Sequence, residues 1–415
     1  ATGGGTLTVL APTDTTLSNM INTQSGVGLE LDGMTIDGSG ALFSVVNVTN
    51  GASDGVILRN LDGTGLVTVG GGTNPAEGGT LTTTDDGIIV DNASNVTASN
   101  ITINNNAGTA RGIVVTNQID GSAAAFTGIE VNTAGGNAVS IGTAGNSNEG
   151  GVIAFNNLTV TTSAVGNGID IDNDDTSLAN ISVNDMIVNA TGTGMAFTAN
   201  GGGVIVVGGA NTIDSEGDVA FQAANTRNLT ASDVTIDNTV GGGVRVAGLN
   251  EALDAVTLNN FNVTTTTADG VLVDGNTDGT INLNTLAVMS TDGRTVVLNG
   301  NTGATVNING MEASATGAGD VFTATGGGIL NMTGTNNTTA ETGHAIVIDS
   351  VEIGTSNATF NDATVNNGAA RGIVIEATTG TGLIAVNGGT LTTAGNAVRV
   401  MDGENVSLSN LQITN

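Results

Sequence analysis

Histidine occurs once, at His344 in the phrase ETGHAIVI; cysteine and lysine are absent, and all seven basic side chains are arginine. That inventory leaves a narrow range of chemistry. Without cysteine there is no thiolate nucleophile, disulfide or thiolate metal site. Without lysine there is no Schiff base and no phosphate-binding Walker motif. A Ser-His-Asp triad would have to use His344, and one turn histidine beside an ordinary strand does not make a triad, which is defined by geometry.

Carboxylates are the remaining reactive groups, 38 in all. In GIDIDNDD, Asp170 and Asp172 alternate with Ile169 and Ile171, so they share one face of a strand about 6.7 Å apart. Asp174 and Asp175 follow at the next turn. That separation overlaps the window of about 6.5–9.5 Å used by inverting glycosidases. A sugar site also needs an aromatic platform, and the chain has no Trp or Tyr. Outward acids that keep a sheet soluble are the plainer reading. The four aspartates could instead offer oxygen ligands to calcium. Their spacing departs from the calcium loops: Asp175 stands where a loop needs glycine, and no GGxGxDx run occurs. The expectation is therefore no cofactor, with calcium at Asp170, Asp172, Asp174 and Asp175 as the one candidate. Asp85, Asp86 and Asp91 form a second acidic cluster.

A formal charge of −31 repels nucleic acid and anionic lipid. It suits polycations, divalent ions or a salty exterior, and it holds copies apart until it is screened. No apolar run approaches the roughly 20 residues that a membrane-spanning helix needs. The chain starts at Ala1 and not at Met, which suggests a removed targeting segment or an excised fragment. Threonine pairs such as those at Thr80, Thr159 and Thr264 would suit an ice-binding face only if repeated on successive coils, and most coils lack them. Asn-x-Ser/Thr sequons are as common as chance supplies in so Asn- and Thr-rich a chain.

The elements that position these residues repeat. GIIV at Gly87, GIVV at Gly112, GIDI at Gly168, GVRV at Gly243, GVLV at Gly270, GIVI at Gly372 and AVRV at Ala397 are one phrase, an apolar-x-apolar strand after a small residue. Thirteen such phrases cover residues 87 to 397, which gives a period of about 26 residues. Longer echoes keep the spacing: GGTLTT recurs from Gly78 to Gly388, and ARGIV from Ala110 to Ala370. Within a period, short alternating segments are separated by Gly, Asn or Asp, as in IIV, NVTAS and ITIN from Ile88 to Asn104. No segment of the repeating region has room for a 12-residue helix. Three short strands per turn predict a parallel β-solenoid of about 16 coils with Ile88 and Val90, Ile169 and Ile171, or Ile346 and Ile348 stacked inside. Gly and Asn suit the corners because they tolerate positive φ. Asn92 and Asn173, both after an apolar-x-apolar-Asp phrase, are expected in stacked asparagine ladders.

This pattern resembles the right-handed parallel β-helix proteins, which include pectin-degrading enzymes, phage tailspikes and passenger domains of bacterial surface adhesins. The resemblance supplies handedness; its motif is degenerate and specific for architecture alone. Polysaccharide activity is what many such proteins imply. The lyases among them imply basic residues beside bound calcium, and no arginine lies near Asp170 in sequence.

Solenoids usually cap their ends. Pro12, Thr13 and Asp14, followed by Leu17, Met20 and Ile21, have the spacing of a short capping helix, so residues 1–24 are expected to form a strand arm and cap, and residues 25–415 one continuous solenoid. The C-terminal LSNLQITN stops in mid-repeat, with no cap. An arm carrying Gly3, Thr6, Leu7, Thr8, Val9 and Leu10 could pair with the coil carrying Leu408, Leu411 and Ile413 of another copy. The plainer alternative is that GGGTLTV is the first strand of its own solenoid. The function expected is a non-enzymatic, acidic structural protein outside a bacterial cell or on its surface, self-assembling head-to-tail into a filament or surface layer. Its partners would be other copies of itself and surface glycans, with no nucleic acid and no membrane insertion. An adhesin shaft and a polysaccharide-active enzyme or tailspike-like protein are the alternatives.

Overall fold

A computed structural model describes residues 5–10, 19–143, 145–163, 165–238, 240–368 and 371–414. Among the described residues there is no helix, and every element is a strand. The chain divides into two compact units, Ala1–Thr212 and Ile213–Asn415.

In the first unit each coil contributes short strands to parallel ladders. One ladder runs Leu29, Val56, Ile88, Ile113, Val139, Ile169 and Phe197 in register. Others run Val67, Val96, Ala124, Ile153, Ile181 and Ile205, and Leu81, Ile103, Val131, Val160 and Val188. Alternate residues point inward, so the β-branched and leucine side chains stack on their equivalents one coil away. Nearly all are completely buried. Phe126 and Phe155 continue that stacking, with ring centroids 4.6 Å apart and planes 9° from parallel.

The second unit repeats the first ladder as Phe221, Val244, Val271, Val296, Phe322, Ile346, Ile373 and Val398. In several of its coils the expected three short strands become two. Asn228–Asn238, Ala255–Thr265, Thr280–Ser290 and Thr305–Ala315 are single strands of 11 residues. The corner inside each is one residue at positive φ: Asp233, Asn260, Thr285 and Gly310. One left-handed residue turns the strand without interrupting the ladder, as the pairs Asn259 with Asn284 and Phe261 with Leu286 show on either side of it.

Asp, Asn and Gly enter that conformation easily; a β-branched residue does not. Thr285, at φ 56°, is the misfit of the column. Thr285→Asn is therefore expected to stabilise the protein by about 1 kcal/mol, read as a higher urea midpoint at unchanged m-value.

Both expected asparagine ladders exist, in different settings. Asn173 belongs to a buried one: its Oδ1 accepts the Asn148 backbone N–H at 3.0 Å and Asn148 Nδ2 at 3.2 Å, and Asn148 Oδ1 accepts the Gln118 N–H at 3.1 Å. Asn92 belongs to an exposed one, donating to Asn60 Oδ1 at 3.2 Å, while Asn60 donates to Asp32 Oδ1 at 3.1 Å. In the second unit, Asn276 donates to Asn301 Oδ1 at 2.7 Å in another buried ladder.

The capping helix was expected to run to Ile21. Met20–Thr23 is instead a strand, paired in parallel with Val45–Val48. Its side chains alternate between more and less exposed, with Ile21 and Thr23 inward. The edge of Val45–Val48 offers a ladder of backbone partners, which outweighs an i, i+3, i+4 spacing carried by so few residues. Pro12 to Leu17 lie outside the described residues.

Candidate functional site: the open end coils

The last coil consists of Val398–Met401, Val406–Leu408 and Leu411–Thr414. On one side these strands pair with Ile373–Glu376, Ile384–Val386 and Gly389–Thr393. Among the described residues no strand pairs on their other side. The inward positions of this coil are consequently open. Val400, Leu408 and Ile413 are 44 %, 38 % and 57 % exposed, while their partners Ile375, Val386 and Leu391 one coil earlier are each 0 % exposed. Leu411 is half-buried at the start of the same edge.

The first coil shows the same features. Thr6–Val9 pairs with Thr35, Ile36 and Ala41 of its own chain, and the Thr35 N–H donates to Gly5 O at 2.9 Å. Thr6 and Thr8 face outward; Leu7 and Val9 face inward but remain half-exposed, over buried Ile36 and Ala41. Leu10 is exposed, and its carbonyl accepts Asn19 Nδ2 at 2.9 Å. Residues 6–9 are thus the first strand of their own unit, as the plainer reading of GGGTLTV had it. Their outer edge has no partner strand among the described residues. Gly3 lies outside the described residues.

The acidic candidates are arranged differently. Asp170 accepts Asn137 Nδ2 at 2.7 Å. Burial raises its carboxyl above the ordinary range, helped by the charge of Asp172 and opposed by hydrogen bonds from Asn167 and Asn137. Asp172 accepts Asn200 Nδ2 at 2.9 Å. Asp174 and Asp175 are exposed in the turn that follows. The structure does not bring the four into one coordination sphere. Among the described residues one carboxylate group is compact enough for an ion: Asp54, Asp85 and Asp86, whose oxygens lie within 4.8 Å of one another. Sequence reading found Asp85 and Asp86 but paired them with Asp91. Asp54 occupies the corner one coil earlier, before Gly55 as Asp86 precedes Gly87, and that equivalence was the available signal. Burial raises the Asp54 carboxyl, with Asp85 and Asp86 adding to it. Asp86 is already taken up by Arg111 at 2.6 Å.

His344 is a corner residue. Its Nδ1 lies 2.7 Å from Asp320 Oδ1, which also accepts the His344 backbone N–H at 2.8 Å. Burial pushes the Asp320 carboxyl up, but the two His344 bonds and the nearby charges of His344 and Arg294 outweigh it and hold it below the usual value. A depressed folded value means that this carboxylate stabilises the fold above its unfolded pKa, and that the contribution disappears as pH falls through the folded one. The pair lies in a corner column that also holds Arg294, 2.7 Å from Asp269.

Among the described residues no helix is long and apolar enough to cross a membrane. No protein family profile matches the sequence, and no curated protein matches it. Among solved structures the chain is similar to the A-module of Azotobacter vinelandii mannuronan C-5 epimerase AlgE6, at 12 % identity over 95 % of this chain and 90 % of that one, with a TM-score of 0.32. So distant a likeness carries no statement about activity. The ladders themselves define the architecture. With parallel strands joined by crossovers of the usual right hand, and a repeat near 25 residues, the chain is an all-β, right-handed parallel β-helix of about 16 coils.

Proposed function

We propose that the protein is a non-enzymatic structural subunit that assembles head-to-tail through its end coils into a filament or surface layer outside the cell. One observation carries this reading: ladder positions that are fully buried in the penultimate coil are 38–57 % exposed in the last. A second copy whose Thr6–Val9 and Met20–Thr23 continue the strands Val406–Leu408 and Leu411–Thr414 in the register of the ladders would set Val9 on Val406, Ile21 on Leu411 and Thr23 on Ile413. Each apolar pair removed from water contributes on the order of 1 kcal/mol, and the continued ladders satisfy backbone groups that water otherwise serves. Exposed edges of this kind are templates for pairing unless charge or a cap blocks them.

The charge of −31 on each copy opposes that contact. Exposed charges are screened beyond about 10 Å at 0.1 M salt. Association is therefore expected to grow with ionic strength and with divalent cations. Sedimentation velocity across a salt series tests it: species larger than one chain should appear as salt rises. A single-chain boundary at every ionic strength would overturn the proposal. The proposal gives the acids of GIDIDNDD a solubilising role, supported by the amide bonds that occupy Asp170 and Asp172.

A further inference from the structure

Charge is unevenly placed on the second unit. Residues 228–232, 255–259, 280–284, 305–309 and 329–333 are the first parts of long strands that pair in parallel and in register. Their outward positions carry no charged side chain, in a chain with 38 acids. Past the corner the same strands carry Asp237 and Glu312, and the neighbouring strands Val244–Ala247 and Val271–Asp274 carry Arg245 and Asp274. Charge reaches the neutral face only at its corners, as at Asp233, whose Oδ1 accepts Asn260 Nδ2 at 2.6 Å.

The face is also regular. Thr257, Asn282, Asn307 and Asn331 stack in one column. Asn282 donates to Thr257 Oγ1 at 3.2 Å, and Asn307 and Asn331 each donate at 2.9 Å to the amide oxygen one coil earlier. In the next column Asn259 donates to Ser232 Oγ at 3.2 Å and Asn284 to Asn259 Oδ1 at 2.9 Å. The columns stand about 6.7 Å apart, with steps of about 4.8 Å along each. A carboxamide has two N–H donors and two lone pairs. The ladder takes one N–H of each, so the face retains donors and acceptors on a fixed lattice.

The partner that matches such a lattice is the same lattice. Amides and hydroxyls both donate and accept, so the face is self-complementary across a twofold axis. In-register stacks of identical side chains on two facing sheets interdigitate into a dry contact, with the sheets about 10 Å apart. Each copy carries a charge of −31, so approach costs least where the surface is uncharged. Anionic partners are repelled by the same charge, and a sugar ring would find no Trp or Tyr to stack on. The face spans about 24 Å by 16 Å, or about 400 Å². That is half of the roughly 800 Å² per partner in a standard-size interface, so the contact is a weak one.

We infer that this face pairs side by side with the same face of a second copy, a lateral contact separate from the end coils. The test uses the full chain carrying Leu408→Asp and Ile413→Asp, which blocks the end coil, so that pairing through the face is read alone and its failure leaves the end-coil reading untouched. Sedimentation velocity at about 1 M salt, where exposed charges are screened beyond about 3 Å, should show the boundary moving from one chain to two as concentration rises. Asn282→Thr with Asn307→Thr breaks the column, keeps the net charge and places a strand-favouring residue at both positions. It should raise the dissociation constant about tenfold. Thr257→Glu with Asn307→Glu should raise it about a hundredfold, because unpaired charges would have to be desolvated. Gln222→Glu with Val347→Glu adds the same charge on the outward side of the other sheet, and should change it less than about threefold. A single-chain boundary at every concentration would overturn the contact, as would equal weakening by the two glutamate pairs or no effect of the threonine pair.

Discussion

A chain carrying Leu408→Asp and Ile413→Asp will remain a single subunit at ionic strengths where the unchanged chain associates. The two side chains face inward in the last coil, above Val386 and Leu391, and nothing among the described residues covers them. Aspartate there would have to be desolvated for a second copy to dock, at a cost of several kcal/mol per unpaired charge. Two such changes outweigh the apolar gain of the contact, so apparent affinity should fall by more than a hundredfold. The fold should tolerate them, because both positions already touch water. Sedimentation velocity and electron microscopy read the association, and an unchanged far-ultraviolet spectrum shows that the coils persist. Unaltered association of the double variant would remove the C-terminal coil from the interface.

The second large effect concerns stability. Asn148→Ala is expected to cost roughly 3–6 kcal/mol, because each buried polar group left without a partner costs about 1–3 kcal/mol. Asn148 is completely buried and serves several groups at once. Its Oδ1 accepts the Gln118 N–H, its Nδ2 donates to Val115 O at 3.2 Å and to Asn173 Oδ1 at 3.2 Å. None of these can turn to solvent. Asn184, which donates to Asn156 Oδ1 at 3.1 Å on the outer face, is the contrast. There water replaces the lost bond, and Asn184→Ala should cost about 1 kcal/mol or less. Urea unfolding of the two variants beside the parent reads the difference. Equal costs would mean that the buried ladder is no more than decoration.

Much of this architecture is legible in the residues. The phrase from GIIV to AVRV marks the first strand of successive coils, and its alternate residues, such as Ile88 and Val90 or Ile346 and Ile348, are the ones that lie fully inside. That follows from the two-residue period of a strand, which makes inward and outward positions inseparable from the apolar pattern. The corners were legible for a related reason, since Asn and Gly reveal positive φ by their types. What type does not reveal is whether a corner breaks the strand. Asp233, Asn260 and Thr285 bend theirs while the ladder continues, so two short strands were expected where there is one long one.

Relations across coils were harder to read. Period lengths vary, so equivalence cannot be counted along the chain. Asp54 was missed beside Asp85 and Asp86 for that reason. Asn92 and Asn173 follow the same phrase but fall in an exposed and a buried ladder respectively. In Asn92 the backbone has φ 47° and the side chain points outward, whereas Asn173 is turned inward. A one-residue difference at a corner decides which, and composition does not encode it.

Continuation of one copy's last coil by another's first has a clean test, because the chain has no cysteine. Val9→Cys and Val406→Cys are made in separate chains, mixed in high salt and oxidised gently. A disulfide-linked heterodimer is expected from the mixture and little from either variant alone, because these two positions meet only across the junction. Failure of the mixture to cross-link, in a sample that sedimentation shows to be associated, would contradict head-to-tail continuation of the coils.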